Sequence, residues 1–268
     1  MRLKEKLWGV VPDEMLCKIP EHFQLIGDVA VLSLPVELHE YSTAIAEAVL
    51  SGAKNIRMVL NKTSKLEGDM RLASFEVLAG SGNSVTLHRE FGFIFRLDVT
   101  RVFFNSRLGY ERMRVARQVQ SGERVLVPFA GVGPFVVPMA ARGATVLAVE
   151  KNRDACMWLA ENALLNRVDG RTEIINADVF QILQILKMDF DRAVVPTPYG
   201  MDSILEAVSS RVKKGGMVHF YTFKKRQQIE GLVQSYSDMG FEVEAFRRCG
   251  NVAPCVSRWA FDLRKKRP

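Results

Sequence analysis

The sequence predicts an α/β protein in which a doubly wound Rossmann-like domain follows a small N-terminal α+β module. The chain has 268 residues, enough for one large domain and a smaller module. Its second half alternates short apolar runs with helical stretches, whereas its first half groups strand-like runs around one helical stretch. We therefore expect the module over residues 1–100 and the Rossmann-like domain over residues 101–268.

Composition places the chain among folded, soluble and basic proteins. Hydrophobic residues make up 48% and charged residues 25%, which excludes a wholly disordered or fibrous chain. The 37 lysines and arginines outnumber the 30 acidic residues, which gives a net charge of +7. This excess favours an acidic partner, with nucleic acid as the first candidate and a merely basic soluble protein as the plain alternative.

The cysteines and the hydropathy of the chain indicate its cellular compartment. No CxxC pair occurs, so neither a zinc cluster nor a disulfide framework is predicted, and we expect no metal. A reducing cytoplasm fits best. The N-terminus lacks the apolar run of a signal peptide, and no apolar stretch approaches the roughly 18 residues that a membrane span requires. The sequence therefore predicts a cytoplasmic protein without membrane insertion.

The elements of the N-terminal module follow from short apolar runs. Residues 40–50 have the apolar spacing of a helix. Residues 79–83, Ala-Gly-Ser-Gly-Asn, have the composition of a hairpin connection between the strands before and after them. The strand-like runs are residues 24–34, which include a turn, 75–78, 84–88 and 91–99.

The second half has the pattern of parallel βαβ units covered by helices on both faces. The predicted strands are residues 124–128, 145–149, 172–176, 192–196 and 217–221. The predicted helices are residues 136–142, 154–165, 179–186 and 203–212.

A glycine loop follows the first of these strands. Gly131 and Gly133 allow a sharp turn and a close approach to a ligand, although glycines also serve plain turns. Glu150 ends the next strand, 19 residues beyond Gly131, the spacing of an acid that binds ribose hydroxyls. Because the third glycine of G-x-G-x-x-G is missing, an adenosyl cofactor without phosphates is favoured over a dinucleotide.

Two further residues stand after the third and fourth predicted strands. Asp178 is placed to accept a hydrogen bond from the adenine amine, or alternatively to cap the helix that follows it. Tyr199 belongs to the turn Pro196-Thr-Pro-Tyr-Gly, where its ring can stack on a base or simply pack against the protein.

Four motifs together resemble a family of archaeal and eukaryotic tRNA-modifying transferases. These enzymes act on the guanosine just 3′ of the anticodon; they include the tRNA guanosine N1-methyltransferase and the aminocarboxypropyltransferase of wybutosine synthesis. Both use S-adenosylmethionine, so the resemblance implies a class I methyltransferase domain. The likeness extends from about Ile19 to Arg264. The motifs are Asn-Ser-Arg-Leu-Gly-Tyr-Glu-Arg at 105–112, Pro-Phe-Ala-Gly-Val-Gly-Pro-Phe at 128–135, Glu-Asn-Ala-Leu-Leu-Asn at 161–166 and Gly-Gly-Met-Val-His-Phe-Tyr at 215–221.

The resemblance implies a set of cofactor-binding residues. Asn105 and Arg112 would reach the methionine end of the cofactor and Glu150 the ribose. The adenine would lie against Asp178 and Val179. The remaining cofactor-binding positions belong to the glycine loop: Phe129 and Gly131.

The resemblance also implies two catalytic residues, Glu111 as general base and Arg71 as the partner of guanine O6. Guanine N1 must lose its proton to attack an electrophilic carbon, so a carboxylate suits the base and a guanidinium suits the developing charge on O6. The plain alternatives are that Glu111 pairs with Arg114 or Arg107 on the helix surface and that Arg71 is an ordinary loop arginine.

Several features of the sequence bear on which of the two family members the chain resembles more. Val127 stands where the methyltransferases usually carry an acid, and Pro196 stands where they place an asparagine, which weakens the methyl-transfer assignment. The pair Arg107-Leu108 is typical of the methyltransferases. The chain has the length of the aminocarboxypropyltransferases, without the extra N-terminal tRNA-recognition domain of many methyltransferases.

The expected function is N1-methylation of the guanosine 3′ of a tRNA anticodon, by a monomer, with Pro196 and Tyr199 near the substrate base. The rivals are aminocarboxypropyl transfer to a wyosine precursor, a non-catalytic RNA-binding relative, and methylation of a small molecule or a protein. Basic side chains are expected to contact phosphates. They are Arg101, Arg107, Arg112, Arg114, Arg117, residues 224–226, Arg247, Arg248 and residues 264–267.

Overall fold

The computed structural model describes residues 3–65, 68 and 72–266. The chain divides into two compact units, Met1–Ser106 and Arg107–Pro268. The sequence places this boundary between residues 100 and 101, a few residues earlier.

The first unit is an α+β module. Its sheet has the strand order β1-β2-β3-β4, in which only the β2 and β3 pair of the described strands is parallel, and β5 pairs with β6 in a separate ribbon. Helix α3 packs Ile45 and Val49 against Ala30 and Val59 of the sheet. The elements are α1 (Leu3–Lys6), α2 (Asp13–Leu16), β1 (Gln24–Ile26), β2 (Val29–Leu32), α3 (Ser42–Leu50), β3 (Met58–Lys62), β4 (Phe75–Gly80), β5 (Val85–Glu90) and β6 (Phe93–Asp98), with a 3₁₀ helix at Val36–Tyr41.

The predicted hairpin between strands 75–78 and 84–88 is wrong. Strand β4 pairs with β3, and β5 pairs with β6. The guanidinium of Arg57 donates to the carbonyl oxygens of Ser81 at 3.0 Å and Asn83 at 2.9 Å, so the connection wraps around this side chain. The hairpin turn lies one strand later, at Phe91 and Gly92, whose φ angles of 49° and 87° suit a type I′ turn.

The second unit is the doubly wound α/β domain that the sequence predicts. Its sheet has the order β12-β13-β11-β10-β7-β8-β9, with parallel strands from β7 to β11 and an antiparallel β12–β13 hairpin at one edge. The elements are α4 (Gly109–Gln118), β7 (Arg124–Pro128), α5 (Val136–Ala141), β8 (Thr145–Glu150), α6 (Arg153–Leu165), β9 (Thr172–Asn176), α7 (Val179–Ile185), β10 (Phe190–Val195), α8 (Ile204–Ser209), β11 (Val212–Lys224), α9 (Ile229–Asp238), β12 (Phe241–Ala253) and β13 (Val256–Lys265).

The two faces of this sheet carry different side chains. Phe220 and Phe261 belong to the apolar core that includes residues of α7, α8 and α9. Because side chains alternate along a strand, His219, Tyr221 and Asp262 face the opposite side, where α4 lies. The strand order reverses between β7 and β10, and loops at the carboxyl ends of strands beside such a point form ligand sites in open α/β sheets.

Among the described helices, none combines the length and the apolar character that a membrane span needs.

Candidate active site

The glycine loop after β7 has the backbone geometry that its residues suggest. Phe129, Gly131 and Gly133 all have positive φ angles, of 53°, 57° and 87°. A Cβ atom on Gly133 would lie 2.2 Å from Cδ1 of Leu159, so glycine is what allows α6 to pack against this loop. The loop therefore turns sharply at the carboxyl end of β7.

Helix α6 also holds the loop through a buried amide. The side chain of Asn162 is fully buried, and its Nδ2 donates to the carbonyl oxygen of Val132 at 3.0 Å. A buried amide and a buried carbonyl both require partners, so this hydrogen bond holds the loop at a fixed position relative to α6.

Glu150 closes the loop from the neighbouring strand. Its Oε2 accepts the N–H of Gly131 at 2.8 Å, and its Oε1 accepts the N–H of Asn152 at 2.8 Å. Burial raises the pKa of Glu150, while these backbone donors act in the opposite direction. The backbone of Lys151 is a third donor to this carboxylate, and the acceptor capacity that is left can receive a ribose hydroxyl.

Asp178 lies at the end of the next strand and caps α7. Its Oδ1 accepts the N–H of Phe180 at 2.9 Å, and its Oδ2 accepts a hydrogen bond from Nζ of Lys151 at 3.2 Å. The capping alternative is thus confirmed, and the adenine contact of Asp178 stays a prediction. Val179, the first residue of α7, is buried beside it.

Glu111 is buried on α4, with 6% of its surface exposed. Arg114 donates to both of its oxygens, through Nη2 to Oε1 at 2.7 Å and Nε to Oε2 at 3.0 Å. The Tyr221 hydroxyl donates to Oε1 at 2.8 Å. Burial, with the neighbouring Glu111, raises the pKa of Tyr221 well above its ordinary value, so this residue remains a phenol donor. The expected pair with Arg114 exists, but it is buried rather than on the surface.

A polar network continues behind Glu111. Arg114 also donates through Nη2 to Oδ1 of Asp262 at 2.9 Å, and Asp262 in turn contacts Nδ1 of His219 at 2.6 Å. Nε2 of His219 lies 2.6 Å from Nη1 of Arg192. The expectation that Arg114 contacts RNA phosphates is therefore wrong, because two carboxylates already engage its guanidinium.

The protonation of this network follows from its donors. Arginine only donates, so Nε2 of His219 accepts from Arg192 and Nδ1–H donates to Asp262. Burial lowers the pKa of His219, which keeps its ring neutral. Burial alone would raise the pKa of Asp262, but hydrogen bonds from His219 and Arg114 lower it below its ordinary range. The sequence signal for this network is the alternation of His219 and Tyr221 in an apolar strand.

The remaining predicted residues are distributed over both units. Arg112 is buried on α4, with 2% exposed, and Asn105 is half-buried near the end of the first unit. Arg71 lies outside the described residues. Pro196 is half-buried directly after β10, and Tyr199 is 59% exposed with its ring centroid 5.4 Å from that of Phe223.

The structure brings together one part of the predicted site directly. Gly131 and Glu150 are hydrogen-bonded, and Lys151 joins the end of β8 to Asp178. Val127 is fully buried in β7, so the first strand offers an apolar side chain at the position of the family's acid. Within the described residues, no group of three or more histidine, cysteine or acidic side chains is arranged to hold a metal ion.

Comparison with protein families gives two matches. Residues 86–239 match the TRM5/TYW2 methyltransferase domain, and residues 3–83 match the TYW2 N-terminal domain. Together the two matches cover most of both units.

Individual relatives carry both activities of the family. The chain is 33% identical over 261 residues to the tRNA (guanine(37)-N(1))-methyltransferase Trm5b of Pyrococcus abyssi, covering 95% of this chain and 78% of the relative. It is 30% identical over 277 residues to the tRNA(Phe) (4-demethylwyosine(37)-C(7)) aminocarboxypropyltransferase of Pyrococcus horikoshii, covering 98% of this chain and 96% of the relative.

Solved structures agree with these matches. The crystal structure of P. abyssi Trm5b superposes with a TM-score of 0.85 at 33% identity, over 96% of this chain and 78% of that chain. The structure of P. horikoshii TYW2 in complex with MeSAdo superposes with a TM-score of 0.77 at 28% identity, over 98% of this chain and 97% of that chain. The chain therefore belongs to the TRM5/TYW2 methyltransferase family.

Proposed function

We propose that this protein transfers the methyl group of S-adenosylmethionine to N1 of the guanosine 3′ of a tRNA anticodon. The observation that carries the proposal is the Glu111 carboxylate, buried and held by Arg114 and Tyr221 in the same unit as the glycine loop. The relative from P. abyssi, named for the same reaction at guanine 37, supports it.

The residues present fit an adenosyl cofactor. Glu150 fixes Gly131 and keeps acceptor capacity for a ribose hydroxyl, and Asp178 presents a carboxylate just after β9. Phe129 and Val179 supply apolar surface next to these acids. S-adenosylmethionine, when bound, supplies an electrophilic methyl carbon on a sulfonium centre.

The chain's own residues supply the proton transfer and the orientation of the base. Glu111 accepts the proton of guanine N1, which frees the N1 lone pair for attack. Arg112, next to Glu111 on α4, and Asn105 bind the methionine end of the cofactor. Arg71, which lies outside the described residues, is assigned to the charge that develops on guanine O6 by the family resemblance alone. Tyr199 and Pro196 contact the target base.

A second candidate, aminocarboxypropyl transfer to a wyosine precursor, is favoured by a specific observation. The first unit matches the TYW2 N-terminal domain, and the chain covers 96% of the P. horikoshii aminocarboxypropyltransferase. Pro196, in place of the asparagine of the methyltransferases, agrees with this alternative. The two reactions differ in which carbon attached to the sulfonium is attacked.

The setting of the reaction completes the proposal. We place the reaction in a reducing cytoplasm, because the sequence contains no CxxC pair and no pattern of a disulfide framework. A monomer that acts without a metal remains our expectation.

Nucleoside mass spectrometry separates the candidates. The purified protein is incubated with S-adenosylmethionine and either an unmodified tRNA transcript or a tRNA that carries 4-demethylwyosine, and the nucleosides are then analysed. We expect 1-methylguanosine from the transcript, formed at least about a hundredfold more slowly with Glu111→Gln. A product heavier by an aminocarboxypropyl group, formed only on the premodified tRNA, would establish the second candidate. Cofactor binding without any product would favour a non-catalytic RNA-binding relative.

A further inference from the structure

Tyr199 and Arg258, from different elements, both pack against the ring of Phe223 near the carboxyl end of β11. The ring centroid of Tyr199, in the loop after β10, lies 5.4 Å from that of Phe223, near the end of β11. Cζ of Arg258, near the start of β13, lies 4.9 Å from the same Phe223 ring. Phe223 and Arg258 are direct cross-strand partners, so the register of the sheet fixes this contact.

The loop that carries Tyr199 is tied to β11 on both sides of Phe223. Oδ1 of Asp202 accepts the Thr222 hydroxyl at 2.9 Å, and Oδ2 lies 2.6 Å from Nζ of Lys224. The N–H of Met201 donates to the carbonyl oxygen of Pro198 at 3.2 Å, across a turn in which Gly200 has a φ of 82°. Tyr199 is thus held on Phe223 while much of its ring faces solvent.

The neighbours of the Arg258 guanidinium distinguish this residue from nearby arginines. Arg114 has carboxylate partners in Glu111 and Asp262, and Arg264 has one in Glu244. Within the described part of the chain, the groups that act on the half-buried Arg258 are Cys249, Tyr221 and the like-charged Arg112, and no carboxylate is among them. A half-buried guanidinium is stabilised by an anionic partner, so a bound anion would supply what these neighbours do not.

We propose that Arg258 binds a phosphate of the RNA strand, next to a nucleotide whose base stacks on Tyr199. The proposal rests on the proposed function, because it takes tRNA as the substrate. Guanidinium groups pair with phosphate oxygens through two parallel hydrogen bonds, and stacking on Phe223 fixes the plane of the fork. An exposed aromatic ring beside a cation is the usual arrangement for binding a single RNA strand. The carboxylate of the cofactor's amino-acid end offers the same anionic chemistry, and the test separates the two sources.

The test compares Arg258→Gln with Arg124→Gln. Arg124 is exposed at the amino end of β7, whereas Phe223 lies near the carboxyl end of β11. Its Cζ lies 6.0 Å from the Phe190 ring, so this control loses the same charge and a similar contact with an aromatic ring. Affinity for a fluorescent anticodon stem-loop RNA is measured at several salt concentrations, and affinity for S-adenosylmethionine is measured by calorimetry. We expect Arg258→Gln to weaken RNA binding about tenfold and to make the salt dependence shallower by about one ion, with cofactor affinity unchanged. Arg124→Gln should bind RNA like the wild type.

Two results would overturn the proposal. If Arg258→Gln weakens cofactor binding instead of RNA binding, the anion is the cofactor carboxylate. If neither affinity changes, or if Arg124→Gln has the same effect as Arg258→Gln, Arg258 has no specific anionic ligand. Arg258→Lys keeps the charge without the planar fork and should retain the salt dependence, which covers the case in which the glutamine variant fails to fold. Because the readout is RNA affinity, a wild-type protein that binds RNA without modifying it would refute the proposed function and leave this inference intact.

Discussion

Glu111 and Glu150 differ in the groups that hold their carboxylates, and this difference supports the two roles proposed for them. The oxygens of Glu150 accept backbone N–H groups of its own loop and of the glycine loop, so this side chain is part of the framework that shapes the ligand site. Glu111 is instead held by side chains: Arg114 and Tyr221 donate hydrogen bonds to it, and Nε of Arg247 lies 3.8 Å from its Oε2. A group that is positioned by side chains is better suited to take up a proton than one that is locked into the backbone.

This difference predicts opposite effects of substitution. Glu111→Gln keeps the volume of the side chain but removes the proton acceptor, so turnover should fall about 10²- to 10⁴-fold with cofactor affinity nearly unchanged. Glu150→Ala removes the ribose acceptor and leaves the Gly131 N–H without its partner, so cofactor affinity should fall roughly 10- to 100-fold. Calorimetry with S-adenosylmethionine and single-turnover assays measure the two quantities.

Glu206→Gln, on the exposed face of α8, is the matched control for both variants. It should leave turnover and cofactor affinity unchanged. If Glu111→Gln mainly weakened cofactor binding while Glu150→Ala mainly slowed turnover, the two roles would have to be exchanged.

At the scale of elements, α6 packs against the glycine loop and holds it in position. Asn162→Ala removes the donor to the carbonyl of Val132 and leaves a buried acceptor unsatisfied. The free energy of unfolding should therefore fall by about 1–3 kcal/mol. Cofactor binding should also weaken, because the loop is displaced. Asn166→Ala is the control on the same helix, because its amide donates to the carbonyl of Asn162 at 2.7 Å and not to the loop. Denaturant unfolding and cofactor calorimetry measure both effects. Equal losses of cofactor affinity in the two variants would show that the loop depends only on the stability of α6.

The elements also show what the sequence can and cannot predict. The strands β7 to β11 and the glycine loop are predictable because apolar runs and glycine positions act locally. Helix α4 is not, because it buries Glu111 and Arg112 in place of an apolar stripe. The pairing of β4 depends on the distant Arg57 side chain, so local composition indicated the wrong hairpin.

In the candidate site, likewise, the sequence predicts some contacts and not others. The spacing of Gly131 and Glu150 predicts a contact that the structure contains, because both lie at the ends of adjacent parallel strands. The contacts of Glu111 with Tyr221 and of Arg114 with Asp262 join residues more than a hundred positions apart. Such pairs depend on the register of β11 and β13, which a single sequence does not specify.

At the scale of the whole molecule, the count of 37 lysines and arginines overstates the number of cations available to an acidic partner. Several of the basic residues expected to contact phosphates already have carboxylate partners, among them Arg114 with Asp262, Lys224 with Asp202 and Arg264 with Glu244. The electrostatic contribution to RNA binding therefore rests on fewer side chains than the composition suggests. Basic residues that have no acidic partner in the described part of the chain, such as Arg258, therefore contribute a larger share of this RNA-binding free energy.

The buried network predicts how the stability of the protein depends on pH. His219 is neutral in the folded protein, facing Arg192, Asp262 and, at longer range, Arg114, and burial holds its pKa below the ordinary value of about 6.5. The unfolded chain therefore binds one more proton than the folded chain as the pH falls below about 6.5, and the free energy of unfolding should decrease by up to about 1.4 kcal/mol per pH unit.

His219→Gln is the variant that isolates this effect, because the glutamine amide can accept from Arg192 and donate to Asp262 without titrating. Urea unfolding between pH 5.5 and 8 is followed by tryptophan fluorescence in a Trp8→Phe background, where the signal comes from Trp158 and Trp259 of the second unit. Trp8 is 72% exposed, so its replacement should be tolerated. We expect the wild-type histidine to lose stability toward low pH and the glutamine variant to show a flatter profile. Parallel profiles would mean that His219 takes up its proton without unfolding, and that the network accepts a charged imidazole.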